Sequence, residues 1–475
     1  MNPTNNSTPW PSAKGVTAVL DDVLCSAQPP CSRPSLTYLR RKPGRGLVAV
    51  YGKASDLRSM YTVTVEESAT SGQQMAVSLD APAGAGQDLD IDAVRIPTLG
   101  LTIQRFPHDE RLPDLAAAMT SSPHTELWQA LELVARRSLG GDAGGEVMLD
   151  AVDAVPLRYK PGDRCVIRYC LQLEDSSGAR HQVTVIGKLY RDFEQAASAS
   201  ELQTRLWELQ GAQPWIARPL GVVDPLPLVL TEDLGKDLGH PPTLVGTEVI
   251  RFGKSLPTQA LDEAAAALAE LHACSATSAG TRPRTGQDEA IKAAKRATTL
   301  IRYVPELADV TAPVAATLGA ALKALPTEGL RPAHGSYKPS QLLFRSGKVF
   351  LVDFDQFCMA DPALDVGYFL AYLRPPGMWY HRAGTRSWFE QAAARFLRAY
   401  DQRLAERGAD ATSRAAVLRR CHVYEAALLL KVAARRPNRL HSPRAAEVRA
   451  LLTEVSDCLA AAAEPRDSGA LSSGT

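Results

Sequence analysis

The sequence predicts an α+β protein, rich in sheet over its first half and in helix over its second. Three observations carry that expectation. A strand–turn–strand pattern occurs twice, with Lys42 and Lys160 at equivalent places 118 positions apart. After residue 235 the alternation of strands gives way to long runs with helical periodicity. Within that helical half lie two short loops, His334-Gly335-Ser336-Tyr337-Lys338-Pro339-Ser340-Gln341 and Asp353-Phe354-Asp355, the second at the end of an apolar run.

The repeat organises the first half. Leu39-Arg40-Arg41-Lys42-Pro43-Gly44-Arg45 followed by Leu47–Tyr51 parallels Leu157-Arg158-Tyr159-Lys160-Pro161-Gly162-Asp163 followed by Cys165–Tyr169. Each is an alternating strand, a Lys-Pro-Gly turn and a second strand, the signature of a hairpin. A third strand follows each hairpin (61–65 and 182–186), and a later one recurs at 100–104 and 227–231. A sheet-rich lobe therefore occurs twice. The third strand of the second copy ends in Gly187-Lys188-Leu189-Tyr190, and Ser68 is read as the matching position of the first. The first copy serves either as a structural cap or as a module for a protein or peptide partner. The boundaries expected are a disordered tail over 1–12, the cap over 13–122, the second sheet-rich lobe over 123–235, a helical lobe over 236–463 and a disordered tail over 464–475. Helices are expected at 192–209, 258–272, 310–325, 386–407, 412–435 and 443–462.

Composition narrows the functional classes. The chain has 475 residues, 45% apolar and 22% charged, with a net charge of +1. No sustained basic block supports nucleic-acid binding. Eight scattered cysteines without a C-x-x-C pair point to reduced thiols rather than a disulfide framework or zinc site. No apolar leader or membrane-length stretch is found, so a cytoplasmic protein is expected.

The loop from His334 to Gln341, the Val352-Asp353-Phe354-Asp355 run, Asp361-Pro362-Ala363-Leu364-Asp365 and the Lys188 strand together resemble the aminoglycoside phosphotransferase/choline-kinase superfamily. The sheet-rich extension, and Gln341 where the family has Asn, look like bacterial maltokinases, which carry an N-terminal cap. The resemblance covers about 150–460. It implies a two-lobed protein-kinase-like fold, ATP and Mg²⁺ as cofactors and a small-molecule acceptor.

Residue by residue, it implies that Lys188 pairs the α/β-phosphates, with Glu201 as its partner on the following helix. The Lys160–Gly162 turn takes the place of a glycine-rich phosphate loop. Backbone groups at Glu232 and Leu234 are the expected adenine contacts. Asp353, leaving an apolar strand, is a natural Mg²⁺ ligand, because that ion takes one or two carboxylates plus phosphate oxygens. Gln341 supplies a neutral oxygen beside it. Lys338-Pro339 is similar to the catalytic loop of Ser/Thr kinases, where that lysine reaches the γ-phosphate. Trp379, Tyr380 and His381 are candidates for the acceptor wall. His334 reads as a packed loop histidine, and Asp365 as a structural carboxylate.

One position departs from the family. Ser336 stands where an Asp orients and deprotonates the acceptor hydroxyl. General-base help is worth about 10²–10⁴-fold. Either Asp355 substitutes, or the acceptor needs no base, or the chain binds nucleotide without transfer. The expected activity is phosphoryl transfer to a small-molecule hydroxyl. A pseudokinase and a Ser/Thr peptide kinase are the alternatives.

Overall fold

The computed structural model describes residues 35–42, 46–53, 56–65, 93–96, 100–138, 147–210, 215–235, 243–274, 283–436 and 445–463. The expected tails and Ser68 lie outside them. The described residues form two compact units. One runs to Ser200 and takes in Pro219–Asp233; the other comprises Glu201–Arg218 and the chain from Leu234 onward.

The first unit is built on two five-stranded antiparallel sheets. The first contains β1 (Ser35–Lys42), β2 (Gly46–Lys53), β3 (Asp56–Val65), β4 (Ala93–Ile96) and β5 (Leu101–Arg105), in the order β1-β2-β3-β5-β4. Helices α1 (Leu115–Met119) and α2 (Glu126–Ser138) follow. The second sheet contains β6 (Met148–Lys160), β7 (Arg164–Glu174), β8 (Arg180–Leu189), β9 (Pro219–Val223) and β10 (Leu228–Glu232), in the order β6-β7-β8-β10-β9. The two orders are identical, so the sequence repeat is a repeat of topology. Register refines the correspondence: Lys188 pairs with Val166, and the equivalent Val48 pairs with Thr64. Thr64, rather than Ser68, is therefore the counterpart of Lys188.

Strand alternation puts Cys165, Ile167, Tyr169, Leu171 and Leu173 of β7 inside. They share one apolar core with Val50 and Met60 of the first sheet and with Leu115, Leu127 and Leu131 of the helices. Gly187 is required by this packing, because a Cβ there would lie 2.6 Å from the Tyr169 ring. Helix α3 (Phe193–Leu209) contains the boundary between the units.

The second unit is mainly helical. In chain order it comprises β11 (Leu244–Val245), α4 (Gly246–Val249), α5 (Thr258–Ala273), β12 (Pro283–Arg284), α6 (Gly286–Tyr303), α7 (Ala308–Lys323) and β13 (Arg331–Ala333). Then come β14 (Leu342–Arg345), β15 (Lys348–Leu351), β16 (Cys358–Ala360), α8 (Ala363–Leu373), α9 (Thr385–Glu406), α10 (Ala411–Arg435) and α11 (Ala445–Ala463). The order β-rich then helical is the α+β class expected. Helix α6 was not among the expected helices, although Thr285 and Asp288 form a capping box at its start, Thr285 N donating to Asp288 Oδ2 at 2.9 Å.

Helix α8 is buried almost all round and acts as the central post of this unit. Phe369 stacks on Phe396 of α9 with ring centroids 4.0 Å apart. Two short sheets, β11-β14-β15 and β12-β16-β13, carry the loops that precede and follow them. Among the described residues no helix is long and apolar enough to cross a membrane.

Candidate active site

The loop after β13 is fixed from below by one carboxylate. Asp365, on the first turn of α8 and fully buried, accepts the backbone N–H of His334 at 2.6 Å and that of Tyr337 at 3.5 Å. His272 of α5 stands 3.4 Å from the same carboxylate and is itself held by the Tyr400 hydroxyl at 2.7 Å. Burial alone would raise the Asp365 pKa. The His272 contact and the backbone N–H of His334 outweigh it and hold the group below its ordinary value. Gly335 makes the turn at φ +72°, and a Cβ there would sit 1.8 Å from the Gln356 carbonyl oxygen. Only glycine fits both constraints.

The ring of His334 is fully buried. Its Nε2 bonds the Val352 carbonyl at 3.1 Å, which leaves Nδ1 facing the Ser336 hydroxyl at 3.4 Å. Burial depresses the His334 pKa, with the Asp365 charge acting in the opposite direction. The neutral ring therefore donates from Nε2 and accepts from Ser336. Phe354 packs over it at a centroid distance of 4.9 Å.

Gln341 closes the arrangement. It sits in the 3₁₀ turn Pro339–Gln341, is 3% exposed, and its Nε2 donates to Ser336 Oγ at 3.0 Å and to Asp353 Oδ2 at 3.3 Å. Its backbone carbonyl receives the Val352 N–H at 3.1 Å, which ties the turn to the chain leaving β15. The side-chain Oε1 is buried without a hydrogen-bond partner. An orphaned carbonyl oxygen on a side chain that also touches a carboxylate suits a hard cation, because Mg²⁺ takes oxygen ligands. Asp353 has φ +71°, uncommon for a residue with a side chain. Such a backbone costs on the order of 1–3 kcal/mol and here directs the carboxylate toward Gln341. No cluster of three His, Cys, Asp or Glu suited to a metal occurs among the described residues.

Ser336, Gln341 and Asp353 are thus brought together. Asp355 is exposed in the turn that follows, where Phe357 N bonds the Phe354 carbonyl at 2.8 Å. The Lys338 ammonium lies over the Tyr372 ring at 5.5 Å. Trp379 is buried in the helical core, and Tyr380 is half exposed with its hydroxyl 3.2 Å from Glu447. His381 ends that turn in a left-handed conformation. Glu201 pairs with Arg205 one helical turn on, at 2.5 Å. The Leu234 carbonyl receives the Thr243 hydroxyl.

In the first unit, Lys188 lies mid-sheet between β7 and β10, its ammonium over the Tyr190 ring at 5.0 Å. Glu232 ends β10, and Asp233 beside it accepts Arg168 Nε at 2.7 Å. In the Lys160–Arg164 turn, Lys160 pairs with Asp163. The Gly162 N–H donates to Asp109 Oδ2 at 2.6 Å, and Tyr159 donates to the same oxygen at 2.7 Å. An incoming phosphate would have to displace Asp109 from that amide. Lys42, the first-copy counterpart of Lys160, donates to the Pro161 carbonyl at 2.9 Å. Asp109 and Arg168 were missed in the sequence, since each is a lone charge with no local motif around it.

Comparison with known proteins adds the following. No curated protein matches the chain. Among solved structures, a glucosamine kinase in complex with glucosamine, ADP and inorganic phosphate aligns at 17% identity, covering 91% of this chain and 96% of that one, with a TM-score of 0.44. A choline/ethanolamine kinase family protein from Mesorhizobium loti aligns at 15% identity over 71% and 94% of the two chains, with a TM-score of 0.37. A choline kinase from Streptococcus pneumoniae aligns at 12% identity over 70% and 99%, with a TM-score of 0.40. Residues 216–411, the stretch that contains Ser336, Gln341, Asp353 and Asp365, match the model of the phosphotransferase enzyme family.

Proposed function

We propose that the chain is an ATP- and Mg²⁺-dependent phosphotransferase that moves the γ-phosphoryl group to a hydroxyl of a small molecule. The observation that carries this reading is the buried Gln341 amide, whose Nε2 donates to Asp353 Oδ2 while its Oε1 is left without a hydrogen-bond partner. Gln341 and Asp353 are the residues that would hold the metal. A bound Mg²⁺ neutralises the charge that builds on the transferring phosphoryl oxygens. The match of residues 216–411 to the phosphotransferase family supports the same reaction class.

Ser336 fits a reaction of this kind without a carboxylate base. Its hydroxyl donates to His334 and accepts from Gln341, so it is oriented and retains an acceptor lone pair. In the loose transition state of phosphoryl transfer the protein contributes mostly positioning and charge stabilisation. Ser336 can hold the acceptor hydroxyl in line by hydrogen bonding, while the rigid His334–Asp365 linkage keeps it in place. The cost is the general-base factor.

Thermal unfolding of the full chain with ATP and MgCl₂, followed by ³¹P-detected turnover over a panel of hydroxyl acceptors, tests this reading. A ligand present at 100 times its Kd stabilises by about 2.7 kcal/mol. A clear rise in Tm with the pair, and less with either alone, is expected. An unshifted Tm at millimolar ATP·Mg²⁺ would sink it.

A further inference from the structure

Beside the 334–341 loop lies a group of cations that the reaction described so far does not use. Glu289 of α6, fully buried, pairs with Arg284 at 2.7 Å, with Lys292 at 2.7 Å and more loosely with Arg296 at 3.9 Å. Helix α10 adds Lys431 and, one turn on, Arg435. Asp288, the neighbouring acid, bonds Thr285 at the helix cap. Five cations thus gather around one carboxylate. Their attachment to the loop is direct: Arg284 Nη1 donates to the Gly335 carbonyl at 2.7 Å. Arg284 and Lys431 also flank the Tyr368 ring, at 5.8 and 4.8 Å, and Lys431 donates to its hydroxyl at 2.6 Å. Tyr368 stacks on Tyr372, and Tyr372 lies under Lys338 at the loop's other end.

This excess of charge is not neutralised within the group. The Lys431 ammonium is disfavoured first by burial, then by Arg435, Arg296 and Arg284, with Glu289 alone pulling the other way, and its pKa falls to about 7. Holding several like charges around a single counter-ion is unfavourable, and an anion arriving among them relieves that.

We propose that the Arg296–Lys431–Arg435 face with Tyr368 and Tyr372 binds an anionic group of the acceptor, so that the substrate is a hydroxy compound bearing a carboxylate or a phosphate. This rests on the phosphotransferase reading for its role, but not for the binding itself. The partly exposed Tyr372 ring, backed by the buried Tyr368, supplies apolar surface for the rest of the molecule, and the cations fix the charged end. Arg284 couples the occupied site to Gly335, next to Ser336.

The test is calorimetry on the full chain without nucleotide, using D-gluconate, glucose 6-phosphate and D-glucose. Gluconate, glucose 6-phosphate or both should bind at least about 10-fold tighter than glucose, and which of them does so distinguishes a carboxylate from a phosphate end. Gluconate stays fully ionised across the range, so its affinity should fall as pH rises from 6 to 8.5 and Lys431 loses its proton. Lys431→Met should abolish the pH dependence and weaken anion binding about 10-fold or more, with Tm unchanged or raised. Arg435→Gln, on an exposed side chain, should weaken it several-fold and guards against a folding defect in the first variant. Equal binding of the three compounds, or anion binding indifferent to both substitutions, would overturn the site. Anion binding with no turnover in the presence of ATP and Mg²⁺ would overturn its role in acceptor recognition. An absent ATP-induced Tm shift alongside intact anion binding refutes the phosphotransferase reading alone.

Discussion

The backbone N–H of His334 donates to the Asp365 carboxylate at 2.6 Å across 31 residues of sequence, with both groups fully buried. This bond, rather than any contact of the imidazole, sets where Ser336 stands, because Ser336 is two residues on and Tyr337 is held by the same carboxylate. Asp365→Ala leaves two buried amides and His272 without their acceptor. Loss of one partner of a buried charged network costs roughly 3–5 kcal/mol. A Tm drop of many degrees is expected, with activity lost even below the new Tm. A variant that melts like the wild type would refute the anchoring role.

The same pair gives the protein a pH signature. Both pKa values are depressed in the folded state, that of Asp365 by its histidine contacts against burial and that of His334 by burial against Asp365. A depressed group stabilises the fold above its unfolded pKa, and that contribution is lost as pH falls. The unfolded chain takes up the His334 proton near pH 6.5 and the Asp365 proton near pH 3.9. Stability should therefore start to fall below about pH 6.5 and fall further below about pH 4. Urea titrations at pH 8, 5 and 3.5 measure this. His334→Gln should flatten the first step; an unchanged step in that variant would assign it elsewhere.

Gln341 makes a narrower prediction. Gln341→Leu removes the orphaned oxygen together with the Nε2 donor to Ser336 and Asp353; it is close in volume, so the fold should survive with a loss of roughly 1–3 kcal/mol. The Mg²⁺ concentration giving half-maximal stabilisation by ATP should rise by about 10-fold or more, since metal-site substitutions commonly cost 10–100-fold. ATP-induced stabilisation without metal should be unaffected. An unchanged Mg²⁺ requirement would mean that the oxygen is not a ligand.

How much was legible before the structure follows from where the information lies. The repeat was readable because a hairpin is local: Lys-Pro-Gly between alternating strands marks itself. The exact counterpart of Lys188 was not, since Thr64 is identified only by its pairing with Val48, and register across strands is not written in either strand alone. Helix α6 was overlooked although its Thr285-x-x-Asp288 box is a local signal. The Ser336–Gln341–Asp353 grouping was legible as two motifs. What escaped were partners joined through space: Asp109 on Gly162, Asp233 on Arg168, Glu289 on Arg284. Asp109 and Asp233 take their meaning from residues 53 and 65 positions away, and Glu289 from an arginine on the short strand before its own helix.

The register of the repeat bears on stoichiometry. With Thr64 in the place of Lys188, the first sheet lacks a cation at that position. Calorimetric titration with a non-hydrolysable ATP analogue and Mg²⁺ should give one site per chain, and Lys188→Ala should remove most of the binding without changing the fold. Two equivalent sites would contradict the division of roles between the copies.

Ser336 allows the sharpest test of the chemistry. Its hydroxyl is a feeble base at neutral pH and is held between His334 and Gln341. If it acts by orienting the acceptor, Ser336→Ala should lower turnover by no more than about 10-fold and leave ATP binding intact, a loss of up to about 1.4 kcal/mol in barrier. Ser336→Asp places a carboxylate beside Gln341 Nε2, which can donate to it, and beside Asp353, which repels it. For an ordinary alcohol acceptor the gain from a general base starts at about 10², and it is expected to exceed the cost of that repulsion because a bound Mg²⁺ shields Asp353. Turnover should therefore rise in Ser336→Asp, with the rise appearing in kcat rather than KM. Should Asp355 be the working base instead, Asp355→Asn abolishes turnover and Ser336→Asp slows it. Steady-state kinetics of the three variants on one acceptor separate the two mechanisms, and a loss beyond about 10³-fold in Ser336→Ala alone would contradict both by making the serine hydroxyl itself a reacting group.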